Sequence, residues 1–248
     1  MTVRVLTDVR LFTGGADLTS VSNKLELAAE REEKDVTTFL PEGDADLGWK
    51  KVTGGLASGS ANAEGFWAAG DAGQVDDRSF IDLGGLTGWT ACPKGAAVGS
   101  PAYLLKALRG KYVAGGSVGD VNPWSASASS TWPVVRSVIM HPPGTARTST
   151  GNGTAVQVSA VTASQYLYAS LHVLSVSGTT PTLTVVVESD VDNTFGSPAT
   201  QITFSSANSI SGQISRVAGA ITDTWYRITY TITGGSPSYL FVVSLGIA

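Results

Sequence analysis

The stretch KLELAAEREEKDVTTF, Lys24 to Phe39, decides how the chain is read. Five acidic residues beside Ala, Leu and Lys give it the composition of a helix, yet it runs out through DVTTF into β-branched and turn residues. Periodicity separates the two readings. In an extended chain Lys24, Glu26, Ala28, Glu30, Glu32 and Lys34 share one face, and Leu25, Leu27, Ala29, Arg31, Glu33 and Asp35 share the other. In a helix Leu25, Leu27, Ala28 and Ala29 crowd the start and nothing apolar recurs until Val36, so no stripe would hold it to a core. The pattern favours a strand with one heavily charged face.

A chain of 248 residues is long for one domain and comfortable for two, and it can bury roughly 70–75% of its unfolded surface. With 42% hydrophobic and 15% charged residues, its surface must be rich in Ser, Thr and Gly, a composition suited to a protein that assembles. The net charge of −4, with no basic cluster longer than Lys50-Lys51, argues against a grip on nucleic acid. A single cysteine, Cys92, cannot form an internal disulfide and, lying in TACPKG with no histidine near in sequence, reads as structural. MTVRVLTDVRLF has no basic segment followed by an apolar one, and the apolar run YLFVVSLGIA is ten residues, half of a membrane span. Neither a secretory signal nor a membrane anchor is expected.

Charge divides the chain. Residues 1–142 hold 13 Lys/Arg and 16 Asp/Glu, whereas residues 143–248 hold 3 and 4, so the two parts are expected to be separate domains with different roles. HPPGTARTSTGNGT, His141 to Thr154, has no hydrophobic period and reads as the linker. The second part reads as strands: AVQVSAV, YLYASLHVLSVS, LTVVVES, TQITF, TWYRITYTIT and YLFVVSLGI, with turns at SGTTP, VDNTFGSP and GGSP. That spacing suggests an antiparallel, jelly-roll-like sandwich in which GGSP returns TWYRITYTIT into YLFVVSLGI. The first part is also mostly β: VRVLTDVRLF, GGLASGSANAEGFWAAG, AYLLKALRGKYV and VNPWSASASSTWPVVRSVIMH. Its one short helix is expected in QVDDRSFIDLGG, with Asp76 and Asp77 at the N-terminus and Gly84 at the stop. SPAYLLKALRGKY fits a strand and, through Leu104, Leu105 and Leu108, a helix as well.

Signatures of catalysis are scarce. His141 and His172 show no metal-ligand spacing, no G-x-S-x-G elbow occurs, and GNGTAV lacks the spacing of a phosphate loop. ESDVDN, Glu188 to Asn193, has oxygen ligands suitable for calcium but reads better as an Asp/Asn-rich turn. Trp49, Trp67, Trp89, Trp124, Trp132 and Trp225 are dispersed, as packing residues are. No enzyme activity, metal or cofactor is expected. A carbohydrate-binding or adhesion sandwich is the alternative reading, and a glycoside hydrolase, resting on scattered carboxylates, a more distant one.

TDVRLFTGGADLTSVSNKLELAAEREEKDVTTF, GWKKVTGGLASGSANAEGFWAAGD and GGSVGDVNPWSASAS, with YLYASLHVLSVSGTTPTLTVVVESD and AITDTWYRITYTITGGSPSYLFVV later, resemble the major tail (tail tube) protein of long-tailed, non-contractile bacteriophages of the actinobacteriophage type. The resemblance implies a mainly β fold: a tail-tube β-sandwich/barrel domain, 1–142, followed by a second sandwich domain, 143–248, that decorates the exterior or, less in keeping with its low charge, forms a second tube domain. It implies a structural virion protein, assembled in the bacterial host cytoplasm, whose subunits form hexameric or trimeric pseudo-hexameric rings stacked into a conduit for genome delivery. Partners would be copies of itself, the tape-measure protein and the tail terminator, with DNA passing transiently and no membrane engaged. It implies that Glu26, Glu30, Glu32 and Glu64 line the lumen, where carboxylates repel a polyanion towards the axis. Phe39, Pro41, Glu42, Asp44, Asp46 and Trp49, in FLPEGDADLGWK, match the loop that reaches the neighbouring ring.

Overall fold

The computed structural model describes residues 6–70 and 74–248. It is almost wholly antiparallel β-structure. In chain order the elements are β1 (Arg10–Thr13), β2 (Ala16–Asp17), a 3-10 turn (Thr19–Val21), β3 (Ser22–Asp35), β4 (Val52–Phe66), α1 (Val75–Ile81), β5 (Leu86–Cys92), β6 (Pro101–Ala114), β7 (Pro123–Ser130) and β8 (Val135–His141). There follow β9 (Gly151–Asn152), β10 (Val156–Gln157), β11 (Tyr166–Asp190), β12 (Ala199–Thr203), β13 (Ser211–Ala218) and β14 (Trp225–Ile247). The charged stretch is a strand, and so is SPAYLLKALRGKY. Of the N-terminal strand expected in VRVLTDVRLF, Val3 to Val5 lie outside the described residues and the ladder begins at Arg10.

One hydrogen-bonded ladder runs β2-β1-β5-β6-β7-β4-β3. It curls, because strands near its two ends share one core: Leu11 and Leu18 join Ala61, Ala63, Trp89, Leu105, Trp124, Ala126 and Ala128, with Leu25 and Leu27 packed against them. The alanines alternate with Ser, Asn and Glu, so the inner face is small and apolar and the outer face polar. The helix α1 closes the curl with Val75 and Ser79, one turn apart and both buried. Asp76 and Asp77 occupy its first turn, and Gly84 follows in a left-handed conformation at φ 80°.

The C-terminal part contradicts the expected hairpin. SGTTP and GGSP do not reverse the chain; each is a corner inside a long strand, so that β11 and β14 pair from Leu167–Ile247 through to Asp190–Trp225. The corners lie side by side, with Thr179 opposite Gly235 and the register irregular on both sides of it. Gly178 and Gly234 stand at φ 117° and 121°, a region open to glycine alone, and there both strands bend together. Beyond the bend the ladder folds over itself, so Leu167, Leu171 and Val173 pack in one core with Val185, Val187, Ile228 and Tyr230. β13, in the polar segment SGQISRVA, was not expected, yet it pairs with β11 from Tyr166–Ala218 to Val173–Ser211.

The stretch expected to be a linker is tied down. His141 is buried and stacks on Phe241 at 4.2 Å, and Arg147 exchanges backbone hydrogen bonds with Tyr239 at 2.7 and 2.9 Å. The two parts also share hydrogen bonds: β8 pairs with β6 on one side and with β14 on the other, Val138 facing both Pro101 and Leu245. Between them lies a buried polar chain in which Thr90 Oγ1 is 2.8 Å from Ser170 Oγ and 2.9 Å from His172 Nε2, and Ser170 Oγ is 2.7 Å from Ser244 Oγ.

Two measurements test this account. Gly234→Val places a Cβ 2.9 Å from the Pro181 Cα in a backbone conformation valine avoids; urea unfolding should show a loss of about 2 kcal/mol or more. Burial holds His141 down to about 4 and His172 to about 3, against about 6.5 in an unfolded chain. The unfolded state then binds more protons below pH 6.5, so stability is complete above that pH and falls as acid is added, each imidazole contributing up to about 1.4 kcal/mol per pH unit. A urea midpoint unchanged between pH 7 and pH 4.5 would show instead that the imidazoles titrate freely.

Candidate functional site

β3, β4, β7 and the second half of β6 form an open polar sheet. On its outer face Lys24 stands opposite Glu64, Glu26 opposite Asn62, Ala28 opposite Ser60 and Glu30 opposite Ser58. Asn62 then meets Ser127 and Glu64 meets Ser125, and these in turn meet Lys111 and Val113. Glu26, Glu30, Glu32 and Glu64 therefore share one exposed face. They are not equivalent: Lys24 Nζ donates to Glu64 Oε1 at 2.9 Å, and Lys34 pairs with Glu32. That hydrogen bond, more than the attraction itself, raises the Lys24 ammonium above its ordinary range. Glu26 and Glu30 have no ion partner among the described residues.

Among the described residues both lateral edges of this sheet are open. There β3, fourteen residues long, pairs with β4 alone. On its side away from β7, β6 is bonded to β5 only as far as Leu108 and to the Gly84–Gly85 turn at Arg109, leaving Gly110–Ala114 with no neighbouring strand among the described residues. Such edges are templates for pairing with another chain unless covered or made repulsive.

Past Ala29 and Gly59 the β3–β4 hairpin leaves the body and is exposed on both faces. This arm is ordered by its own bonds: Val36 N–H donates to Lys51 O (2.9 Å), Lys51 N–H to Thr37 Oγ1 (2.9 Å), and Thr37 N–H to Asp35 Oδ1 (2.9 Å). The Thr37 hydroxyl and amide hold the Asp35 carboxyl below its usual range. At the tip three turns follow one another, Pro41 O accepting from Asp44 N–H (3.2 Å), Asp44 O from Leu47 N–H (3.1 Å) and Asp46 O from Trp49 N–H (3.0 Å). Asp44 also accepts from Asp46 N–H at 2.8 Å, and Asp46 lies 4.0 Å from Lys51. Phe39 is fully exposed, Leu56 83% and Trp49 74%, an unusual display of large apolar side chains on a projecting element.

The other end of the sheet presents a second apolar group that the sequence pattern did not reveal. Phe66 ends β4 and Trp67 follows it, while Val113, Val118 and Val121 belong to the end of β6 and its connection to β7. All are exposed, Val118 completely. Phe66 pairs with Pro123, which fixes this group at the end of the sheet away from the arm. The only sequence signal was a pair of valines in the Gly-rich turn SVGDVN, where no period marks them.

The remaining candidates resolve as structural. Burial pushes the Cys92 thiol up to about 12, so it stays protonated. In ESDVDN, Glu188 accepts from Arg227 at 2.9 Å, Asp190 from the Val191 and Ser197 amides at 2.6 and 3.0 Å, and Asp192 from the Thr194 amide at 2.8 Å. Their oxygens serve the turn.

The chain matches no protein-family model and no curated protein sequence. Among solved structures it is similar to a chain of a native gene transfer agent virion, with 18% identity, 53% of this chain and 97% of that chain covered, and a TM-score of 0.41. It is also similar to the tail of an empty gene transfer agent particle of C6 symmetry, with 17% identity, 51% and 91% covered, and a TM-score of 0.39. Across 97% of its length it is similar to SPP1 Dit, described as a paradigm of the hub adsorption apparatus in phages infecting Gram-positive hosts, at 12% identity, 99% of that chain and a TM-score of 0.34.

Because the exposed Glu26 and Glu30 side chains make no hydrogen bond or ion pair among the described residues, Glu26→Lys combined with Glu30→Lys should leave the melting temperature of the isolated chain unchanged within error. A marked loss, followed by circular dichroism, would show that these carboxylates stabilise the subunit itself.

Proposed function

We propose that this protein is a structural subunit that assembles with copies of itself into stacked rings, the tube of a phage tail. The observation that carries the reading is the open four-stranded sheet, with a free strand on each side, an arm at one end and an exposed apolar group at the other. Side-by-side pairing of β3 with the free part of β6 in the next copy would join the sheets into a closed barrel, removing both edges. End-to-end contact between the arm and the opposite end is heterologous, and such contacts continue without limit along an axis.

In this reading the polar face lines the channel. Its Ser and Asn side chains are neutral and Glu26 and Glu30 would repel DNA, while Lys111 carries the positive charge on that face that has no ion partner among the described residues. Glu32 and Glu64, already paired with lysines, would contribute less field. Phe39, Pro41, Glu42, Asp44, Asp46 and Trp49 would seat the arm on the next ring, with Phe66, Trp67, Val118 and Val121 receiving it. The second part, hung from β8 and covering the outer side of β5 and β6, leaves the polar face clear, which suits external decoration. Hexameric or trimeric pseudo-hexameric rings, the tape-measure and terminator partners, and assembly in the host cytoplasm before incorporation in the virion belong to the same proposal. No step of it requires catalysis.

Negative-stain microscopy of the purified protein provides the test. The full chain is expected to give rings and tubes, and a variant with residues 38–50 replaced by a short Asn-Gly turn is expected to give rings that do not stack. Monodisperse single subunits from the full chain at high concentration would overturn the reading.

A further inference from the structure

A separate feature lies beneath α1. Arg109 is on the inner face of β6 and has no solvent exposure. One of its amino groups donates to Thr13 Oγ1 at 2.9 Å, while Nε and Nη1 have no acceptor. The guanidinium carbon lies 5.1 Å from the centre of the Trp89 ring, whose indole N–H is also unpartnered. Around it the sheet and helix bring further orphaned groups. Thr13 and Trp89 are cross-strand partners, and Thr87, opposite Ala107, is two positions along the same face from Trp89. Ser79 is the buried polar residue of the helix above. The hydroxyls of Thr87 and Ser79 and the Nε of Arg78 are buried with nothing to donate to. Arg78 donates to Gly14 O through its other nitrogen, and a side chain at Gly14 would collide with the Asp82 carboxylate, so these groups converge on the β1–β2 turn.

Burying donors in this number without acceptors is costly, and burying an uncompensated guanidinium more so. Among the described residues the carboxylate at this corner is Asp82, one of whose oxygens is without a donor, while Asp76 of the same helix accepts from the Tyr112 hydroxyl and the Trp67 indole. Asp82 approaches neither arginine as an ion pair among the described residues. Arg109 is thus a buried guanidinium with no ion partner among the described residues, in a corner rich in N–H and O–H donors.

We propose that this corner is a binding site for a small monovalent anion, chloride in ordinary solution, held by Arg109 with Thr87, Ser79 and the Trp89 indole as its neutral donors. The anion balances the charge and accepts from the donors at once, which a water molecule, itself neutral and needing acceptors for its own protons, does not do. Burial lowers the Arg109 group to about 10, so it remains charged at neutral pH and the requirement for an anion persists there. The site would lock α1 to β1 and β6 in each subunit, whatever the subunit assembles into.

The test compares melting of the full chain in sodium chloride and in sodium gluconate at equal ionic strength. The chloride site predicts a melting temperature that rises with the logarithm of chloride concentration past half-saturation and does not rise in gluconate. Thr87→Val should shift the midpoint to higher chloride, and Arg109→Met should abolish the difference between the salts. Should Arg109→Met fail to fold, crystals of the unmodified protein in sodium bromide decide the matter by an anomalous peak beside Arg109. Identical melting in the two salts, or bromide peaks with none beneath α1, would overturn the proposal.

Discussion

A strand has two edges, and the architecture follows from how β6 divides its own. One edge pairs with β5 from Tyr103 to Leu108. The other pairs first with β8, from Pro101 to Leu104, and then with β7, from Ala107 to Ala114. β7 and β8 thus lie end to end, separated by the break at Thr131–Val134, and the ladder forks there. Beyond β7 are β4 and the arm-bearing β3; beyond β8 are β14, β11 and β12. Without the fork the chain would make one sheet with one pair of edges. With it, one branch can close on a core and the other can keep its strand edges unpaired.

The contrast in composition between the two parts has the same origin. Strands of the C-terminal branch are covered by their own folded-over ladder, so Val, Ile and Tyr dominate their inner faces. The open branch has a small apolar face turned inward and a polar face turned to solvent, and its arm has solvent on both sides. Charge density in Lys24–Asp35 reflects a strand with no cover, and the long unbroken edge it leaves is tolerable in a lone subunit because like charges oppose random pairing.

Much of this was legible in the sequence where one face is buried. Alternation in TWYRITYTIT, in GGLASGSANAEGFW and in the charged stretch follows from side chains facing alternately in and out, and α1 was marked by its aspartates and Gly84. Three things were not legible. The corners at Gly178 and Gly234 use the same residues as a reversing turn, and only the pairing partner distinguishes them. β13 carries few apolar residues because, packed at an edge, it needs few. The apolar group of Phe66, Trp67, Val118 and Val121 draws on two separate segments, so no periodicity within either marks it. For the site, face-sharing by Glu26, Glu30, Glu32 and Glu64 was foreseeable, but the pairing that sets Glu64 and Glu32 apart from Glu26 and Glu30 depends on cross-strand register.

The paired corners in β11 and β14 carry a mechanical implication. In a sandwich of two independent sheets, the layers meet only through side chains and can separate under load by sliding. Here both layers are made by the same two strands, continuous through Gly178 and Gly234. Pulling the layers apart would require straightening both strands at once, with their pairing to each other kept on either side of the bend. Under load such a fold bends as a hinge before it tears as a seam.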